Sequence, residues 1–329
     1  MAFKLDDKLI WDFWIARDGG DYHLFFLQAP RSLSDPEERH WHASVGHAMS
    51  SDLVNWTNLG TCFGPSSGPA WDDGTTWTGS VLRHDGLWYY FYTGTSRSED
   101  RRKQRIGLAT STDLRTWQRH PGNPVLDIDP SVYEEYEPDI WHDRAFRDPW
   151  VVADPDRTGF RMWFTARVRD GAPDGRGVIG TARSDDLLHW TIEEPATPAG
   201  DFGECEVPQY FATSDHAYLL FCTSERRTSA ARRAQLQSHG AAPETGTHYY
   251  ISDRPHGPWR LAPGPFLSGN AGGSLYAGRV VDGPDGRPVF LGTIGRLADG
   301  SYLGALSDPV PVRVSADGLL SLENVPANV

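Results

Sequence analysis

A chain of 329 residues can form one large domain or two small ones, and 31 basic against 44 acidic residues leave it a net charge of −13. That charge repels polyanions, so nucleic acid and acidic membrane surfaces are excluded as partners while a small neutral substrate is admissible. Aromatic residues make up 12% of the chain, with 13 Trp, 34 Gly and 24 Pro, a mixture that suits a turn-rich all-β fold and not a helical bundle.

Taken from the N-terminus, MAFKLDDKLIWDFW carries no apolar stretch of the secretory type, and no later run is long enough to span a bilayer. Three cysteines (Cys62, Cys205, Cys222) have no metal-like spacing and leave at least one thiol unpaired. These features predict a cytoplasmic protein. Asp12 follows in IWDFW, between Trp11 and Trp14. Two alternating themes then recur along the chain. One is a stiff aromatic strand: YHLFFLQ (22–28), LWYYFYTG (87–94), FRMWFTAR (160–167), AYLLFCTS (217–224) and PVFLGTIG (288–295). The other is a strand closed by a Ser/Asp turn ending in Trp: VGHAMSSDLVNW (45–56), IGLATSTDLRTW (106–117), VIGTARSDDLLHW (178–190) and the more degenerate HYYISDRPHGPW (248–259).

Ser and Asp side chains hydrogen-bond the backbone of such tight turns, and Leu and Trp fold back onto the sheet. The closing Trp residues recur at intervals of 61, 73 and 69. Five aromatic strands, four of them followed by the turn, predict a five-bladed β-propeller with blades near 1–60, 75–120, 145–195, 205–262 and 270–325. A pair of β-sandwiches fits this spacing less well. The segments 64–74 and 170–177 read as loops. Residues 225–240 (ERRTSAARRAQLQSHG) have helical character and read first as a solvated surface helix, with a lid or dimer contact as the alternatives.

A propeller brings the inner strands of different blades to one axial pocket, so acidic residues at blade openings are the candidates for chemistry. Asp12 opens the first blade. Asp148, in FRDPW beside Arg147, opens the third. Glu206, in GECEVPQYF with Glu204 two residues before it, opens the fourth. Two carboxyl groups flanking a glycosidic bond, one ionised and one protonated, are what its cleavage requires. Glu204 and Glu206 share a face of an extended segment, and their mutual repulsion is expected to favour the protonated form of one of them.

These residues resemble those of the fructoside-active glycoside hydrolase families 32 and 68 along most of the chain. VGHAMSSDLVNW, WTGSVLRHDGLWYYFYTG (77–94), FRDPW and the closing segment SYLGALSDPVPVRVSADGLLSL (301–322) are similar to family 32. WDFW and GECEVP are closer to the Trp-Asp-x-Trp and Glu-x-Glu-x-Pro of family 68. The resemblance implies Asp12 as nucleophile, Asp148 as transition-state stabiliser, Glu206 as acid/base and Glu204 as a substrate contact. It departs from family 32 where Trp11 and Phe13 replace the Asn and Pro flanking the nucleophile, and in ending where that family continues into a β-sandwich. The expectation is therefore a single catalytic propeller over residues 1–329.

The chemistry so implied is a retaining double displacement on a small neutral carbohydrate, a β-fructofuranoside, with no metal and no organic cofactor. The carboxyl pair should then lie about 5–5.5 Å apart, against about 6.5–9.5 Å for an inverting pair. Trp11, Trp14 and Trp77 are expected as sugar platforms, Gln28 and Ser80 as hydrogen-bonding groups, and Arg147 as a partner of the ring hydroxyls. The rival functions are an inverting arabinofuranosidase or arabinanase, which shares the frame and an acidic trio, and a catalytically silent sugar-binding propeller.

Overall fold

A computed structural model describes residues 2–263, 267–269, 275–297 and 299–323. Five antiparallel sheets follow one another along the chain, each a meander running outward from a common axis. The inner strands are Lys8–Asp18, Thr75–His84, Phe146–Ala153, Glu206–Ala212 and Tyr276–Asp282. The outermost strands end at Phe63, Arg119, Glu193, Leu261 and Leu322. This is the expected five-bladed β-propeller, and its blades fall within a few residues of the expected boundaries. The N-terminal segment reaches back to the fifth blade through a bridge between Phe3 and Leu306.

The aromatic theme is the second strand of each blade. It is buried on both faces, and alternate residues serve different neighbours. In blade 1, Phe25 and Leu27 pack against Trp88, Tyr90 and Tyr92 of blade 2. Leu24 and Phe26 face Leu291 and Leu306 of blade 5. The same split separates Phe91 from Tyr90 and Tyr92, and Trp163 from Met162 and Phe164. A continuous apolar run is therefore two period-2 patterns, one for each interface. The third strands carry a glycine opposite an aromatic ring, as in Gly46 beside Phe26 and Gly180 beside Phe164. A Cβ at either would lie 2.3 Å from the ring. Any larger residue would force the ring off its neighbour.

The Ser/Asp turns form as anticipated. Ser50 Oγ accepts from the Asp52 and Leu53 amides, while Asp52 Oδ1 accepts from the Val54 and Asn55 amides. Leu53 takes a positive φ of 64°, and the Trp56 indole donates to its carbonyl. Ser184, Asp186, Leu187 and Trp190 repeat the set in blade 3. These donors hold the Asp52 carboxyl well below the usual carboxylate range. Its stabilising effect is therefore present above that range and fades as pH falls through the depressed value. Asp52→Ala is expected to lower the free energy of unfolding at pH 7 by about 1–2 kcal/mol. Chemical denaturation checks this, with Asp185→Ala, at an exposed position of the equivalent turn in blade 3, as a near-neutral control.

Within residues 225–240 only Ala230–Ser238 is α-helical, and it buries no residue, matching the solvated reading. The preceding residues depart from it: Glu225–Arg227 form a separate 3-10 turn that faces the axis. No helix among the described residues is long and apolar enough to cross a membrane.

Candidate active site

Every inner strand carries an extra residue near its axial end. Register slips past Asp12 in blade 1, Thr78 in blade 2, Asp148–Pro149 in blade 3, Val207–Pro208 in blade 4 and Ala277–Gly278 in blade 5. Asp12, Asp148, Val207 and Ala277 sit at positive φ, from 23° to 59°. Non-glycine residues hold such angles only where the surroundings over-determine them, at about 1–3 kcal/mol each. A bulge breaks the in/out alternation and re-aims a side chain. Here it turns Asp12, Thr78 and Asp148 toward one axial cavity of about 1070 Å³, which Glu206 also lines.

Asp12 is partly exposed to the cavity and accepts a 2.7 Å hydrogen bond from Thr78 Oγ1 on Oδ2. Burial raises its proton affinity above that of an ordinary aspartate, against the pull of Thr78, Arg279 and Arg39. Asp148, 3% exposed, accepts from Thr165 Oγ1 at 2.9 Å and the Val207 amide at 3.1 Å. Burial dominates there, ahead of the opposing Arg147, and carries its pKa up to about 7. Asp12 and Glu206 add to that rise, so the three carboxylates sense one another across the cavity.

Glu206 is held on both oxygens. Arg147 and Arg227 each approach Oε1 at 2.8 Å, and the Tyr276 hydroxyl donates to Oε2. Glu204 shares both guanidinium groups, bonding Arg147 at 2.8 Å and pairing closely with Arg227. The anticipated face-sharing of the two glutamates is therefore present, but two cations lie between them in place of bare repulsion.

Of the other expected contacts, Trp11, Trp77 and Arg147 line the cavity, and the Trp77 indole donates to the His40 carbonyl at 2.8 Å. Four do not reach it. Trp14 is fully buried and stacks on Phe25 and Tyr90, because the bulge at Asp12 shifts the alternation after it and sends the ring between blades 1 and 2. Gln28 lies on the second strand, one step from the axis, and its amide donates to Thr61 and Ser44. Ser80 is buried between blades 2 and 3, where Oγ accepts from the Val151 amide. Glu204 is 0% exposed beneath Arg147, Arg227 and the Trp141 indole, so it orients cations and is not a substrate contact.

Residues that sequence reasoning missed complete the walls: Arg39, His40 and Trp41 from the loop after the second strand, Thr78, Arg227 and Tyr276. Only Thr78, in the quoted WTGS segment, had a sequence signal. His142, Asp143 and Glu204 offer donor atoms within 4.8 Å of one another. A metal ion there would have to displace Arg147 and Arg227 from Glu204, so the donor set is better matched to the guanidinium groups it already holds.

A five-bladed propeller whose inner strands converge three carboxylates on an axial cavity is a frame for carbohydrate chemistry. Within that class the chain belongs to glycosyl hydrolases family 32: the family's N-terminal domain matches residues 15–302, beginning just after Asp12. It is 26% identical over 289 residues to a sucrose-6-phosphate hydrolase of Zymomonas mobilis, covering 83% of this chain and 50% of that protein. It is 24% identical over 304 residues to a raffinose invertase of Escherichia coli, covering 90% and 55%. The chain thus spans about half the length of these curated relatives. The structure of an inulosucrase from Halalkalicoccus jeotgali bound to kestose superposes with a TM-score of 0.77 at 21% identity, over 97% of this chain and 87% of that one. That likeness is one of fold.

Proposed function

We propose that this protein is a retaining glycoside hydrolase or transglycosylase acting on β-fructofuranosides. The observation that carries the reading is the convergence of Asp12, Asp148 and Glu206, from three blades, on one cavity. Asp12 attacks the anomeric carbon of a fructofuranosyl unit as Glu206 gives its proton to the leaving oxygen, forming a covalent fructosyl-enzyme. Glu206 then takes a proton from water or an acceptor sugar, whose oxygen displaces Asp12. Asp12 suits the nucleophile role because, among the described residues, only one of its oxygens is engaged by a protein donor. Asp148 and Arg147 hold ring hydroxyls more tightly as positive charge grows on the sugar. The chemistry of the relatives, an invertase and a sucrose-6-phosphate hydrolase, supports a small sugar substrate. Three free thiols suit a reducing, cytoplasmic compartment.

The test is product analysis with sucrose and with short inulin-type and levan-type oligosaccharides. Free fructose is expected for hydrolysis, and longer or cyclised products for transfer. Cleavage of arabinofuranosides with none of fructosides would overturn the assignment.

A further inference from the structure

The chemistry just described leaves unused a buried cation at the bottom of the site. Arg279, on the inner strand of blade 5, is 1% exposed and forms no salt bridge with a carboxylate among the described residues. It donates through Nε to the Phe13 carbonyl at 3.2 Å and through Nη1 to the Val207 and Pro208 carbonyls at 3.0 and 2.7 Å. Its guanidinium lies over the Trp150 ring, 4.7 Å from the centroid. Each contact falls one or two residues after a candidate catalytic carboxylate: Phe13 after Asp12, Trp150 after Asp148, Val207 and Pro208 after Glu206. These are three of the four bulged segments that hold positive φ, and the fourth, at Ala277, lies two residues before Arg279 itself.

We propose that Arg279 is a positioning residue that ties the bulges of blades 1, 3 and 4 together beneath the cavity and so fixes Asp12, Asp148 and Glu206 relative to one another. A planar fork with several donors and a stackable face can engage carbonyls of two blades and the indole of a third, which an ammonium cannot do. Burying a charge without a carboxylate partner is unfavourable for folding alone. The carbonyls and the carboxylates above compensate it, and burial lowers its pKa only to about 10, so it stays charged at neutral pH. The same charge favours ionised Asp12. Asp12 is also faced by Thr78, Glu206, Arg39 and Tyr302, and Arg279 by Asp148 and Cys222.

The inference rests on the catalytic roles proposed above, and its test is separable from them. Arg279→Met, Arg279→Gln and Arg279→Lys are compared with the parent by kcat and KM on the best fructoside. Titration of ¹³C-labelled Asp carboxyls is followed by NMR, with the Asp12 signal assigned by its loss in Asp12→Asn. The neutral variants are expected to lose about 100-fold in kcat with KM little changed. The Asp12 titration should move to higher pH in them and stay near the parent's in Arg279→Lys, whose kcat recovers only in part because the fork is missing. A folded neutral variant with parental kcat and parental Asp12 titration would overturn the proposal. If the neutral variants fail to fold, Arg279→Lys decides it, and parental kcat there overturns it equally. The titration needs no turnover, so failure of the parent to cleave fructosides would sink the function while still reading the Arg279–Asp12 coupling.

Discussion

Asp12→Ala is expected to reduce kcat on a β-fructofuranoside by about 10⁴-fold or more, because the proposed covalent intermediate forms on its carboxylate. Glu206→Gln should cost about 10²–10⁴-fold, the usual range for losing a positioned proton donor. The two losses differ in character. With an activated substrate such as fructosyl fluoride, whose leaving group needs no proton, Glu206→Gln should regain fructosyl-enzyme formation. Added azide should then accelerate breakdown to a fructosyl azide of retained configuration. In Asp12→Ala azide can only replace the missing nucleophile, and the product should be inverted. Neither substitution should unfold the protein. Among the described residues Asp12 makes one side-chain hydrogen bond, and Gln can still accept from one guanidinium through its oxygen while its amide nitrogen donates to the Tyr276 hydroxyl. Near-parental turnover in either variant, or azide products with the stereochemistry exchanged, would show the roles to be wrong.

The sequence reveals the frame more fully than the walls, for a physical reason. Blade number follows from local patterns: the Ser/Asp turns satisfy their own backbone within six residues, and the aromatic strands show their double burial as continuous apolar runs. Asp12, Asp148 and Glu206 were legible because each opens a blade in a short recognisable segment. Trp14 and Ser80 lie two residues past Asp12 and Thr78, where simple alternation would put them on the same face, but the one-residue bulge undoes alternation beyond it and sends both between blades. Arg227 and Tyr276 left no local signal. Their role arises only when blades 4 and 5 meet around Glu206, a contact spanning 70 residues for Tyr276. Arg227 was further concealed by adjoining a basic, surface-helix-like run, of which it occupies the one turn that faces inward.

Asp148→Asn should stabilise the protein at pH 8 while abolishing most of its activity. The folded state holds the Asp148 proton up to about pH 7, whereas an unfolded chain releases it near the ordinary aspartate value of 3.8. Between those values the folded form binds more protons, so stability falls as pH rises from about 4 to about 7. Three pH units correspond to at most about 4 kcal/mol. The uncharged amide removes this term, and its gain should be largest at pH 8 and vanish near pH 4. Asp12, raised in the same direction, leaves part of the slope in place. For catalysis the same proton should give an acid limb in kcat/KM near pH 7, since in the proposed role a protonated Asp148 would stabilise the developing cation poorly. Thr165→Val should move that limb to higher pH, because it removes a donor to the carboxylate and so disfavours the ionised form. Thermal unfolding from pH 4 to 8 and pH–rate profiles of the three proteins test both claims. A stability slope in Asp148→Asn equal to the parent's would show that the ionisation of this residue does not oppose folding. The active site would then owe its pH dependence to another of the carboxyl groups.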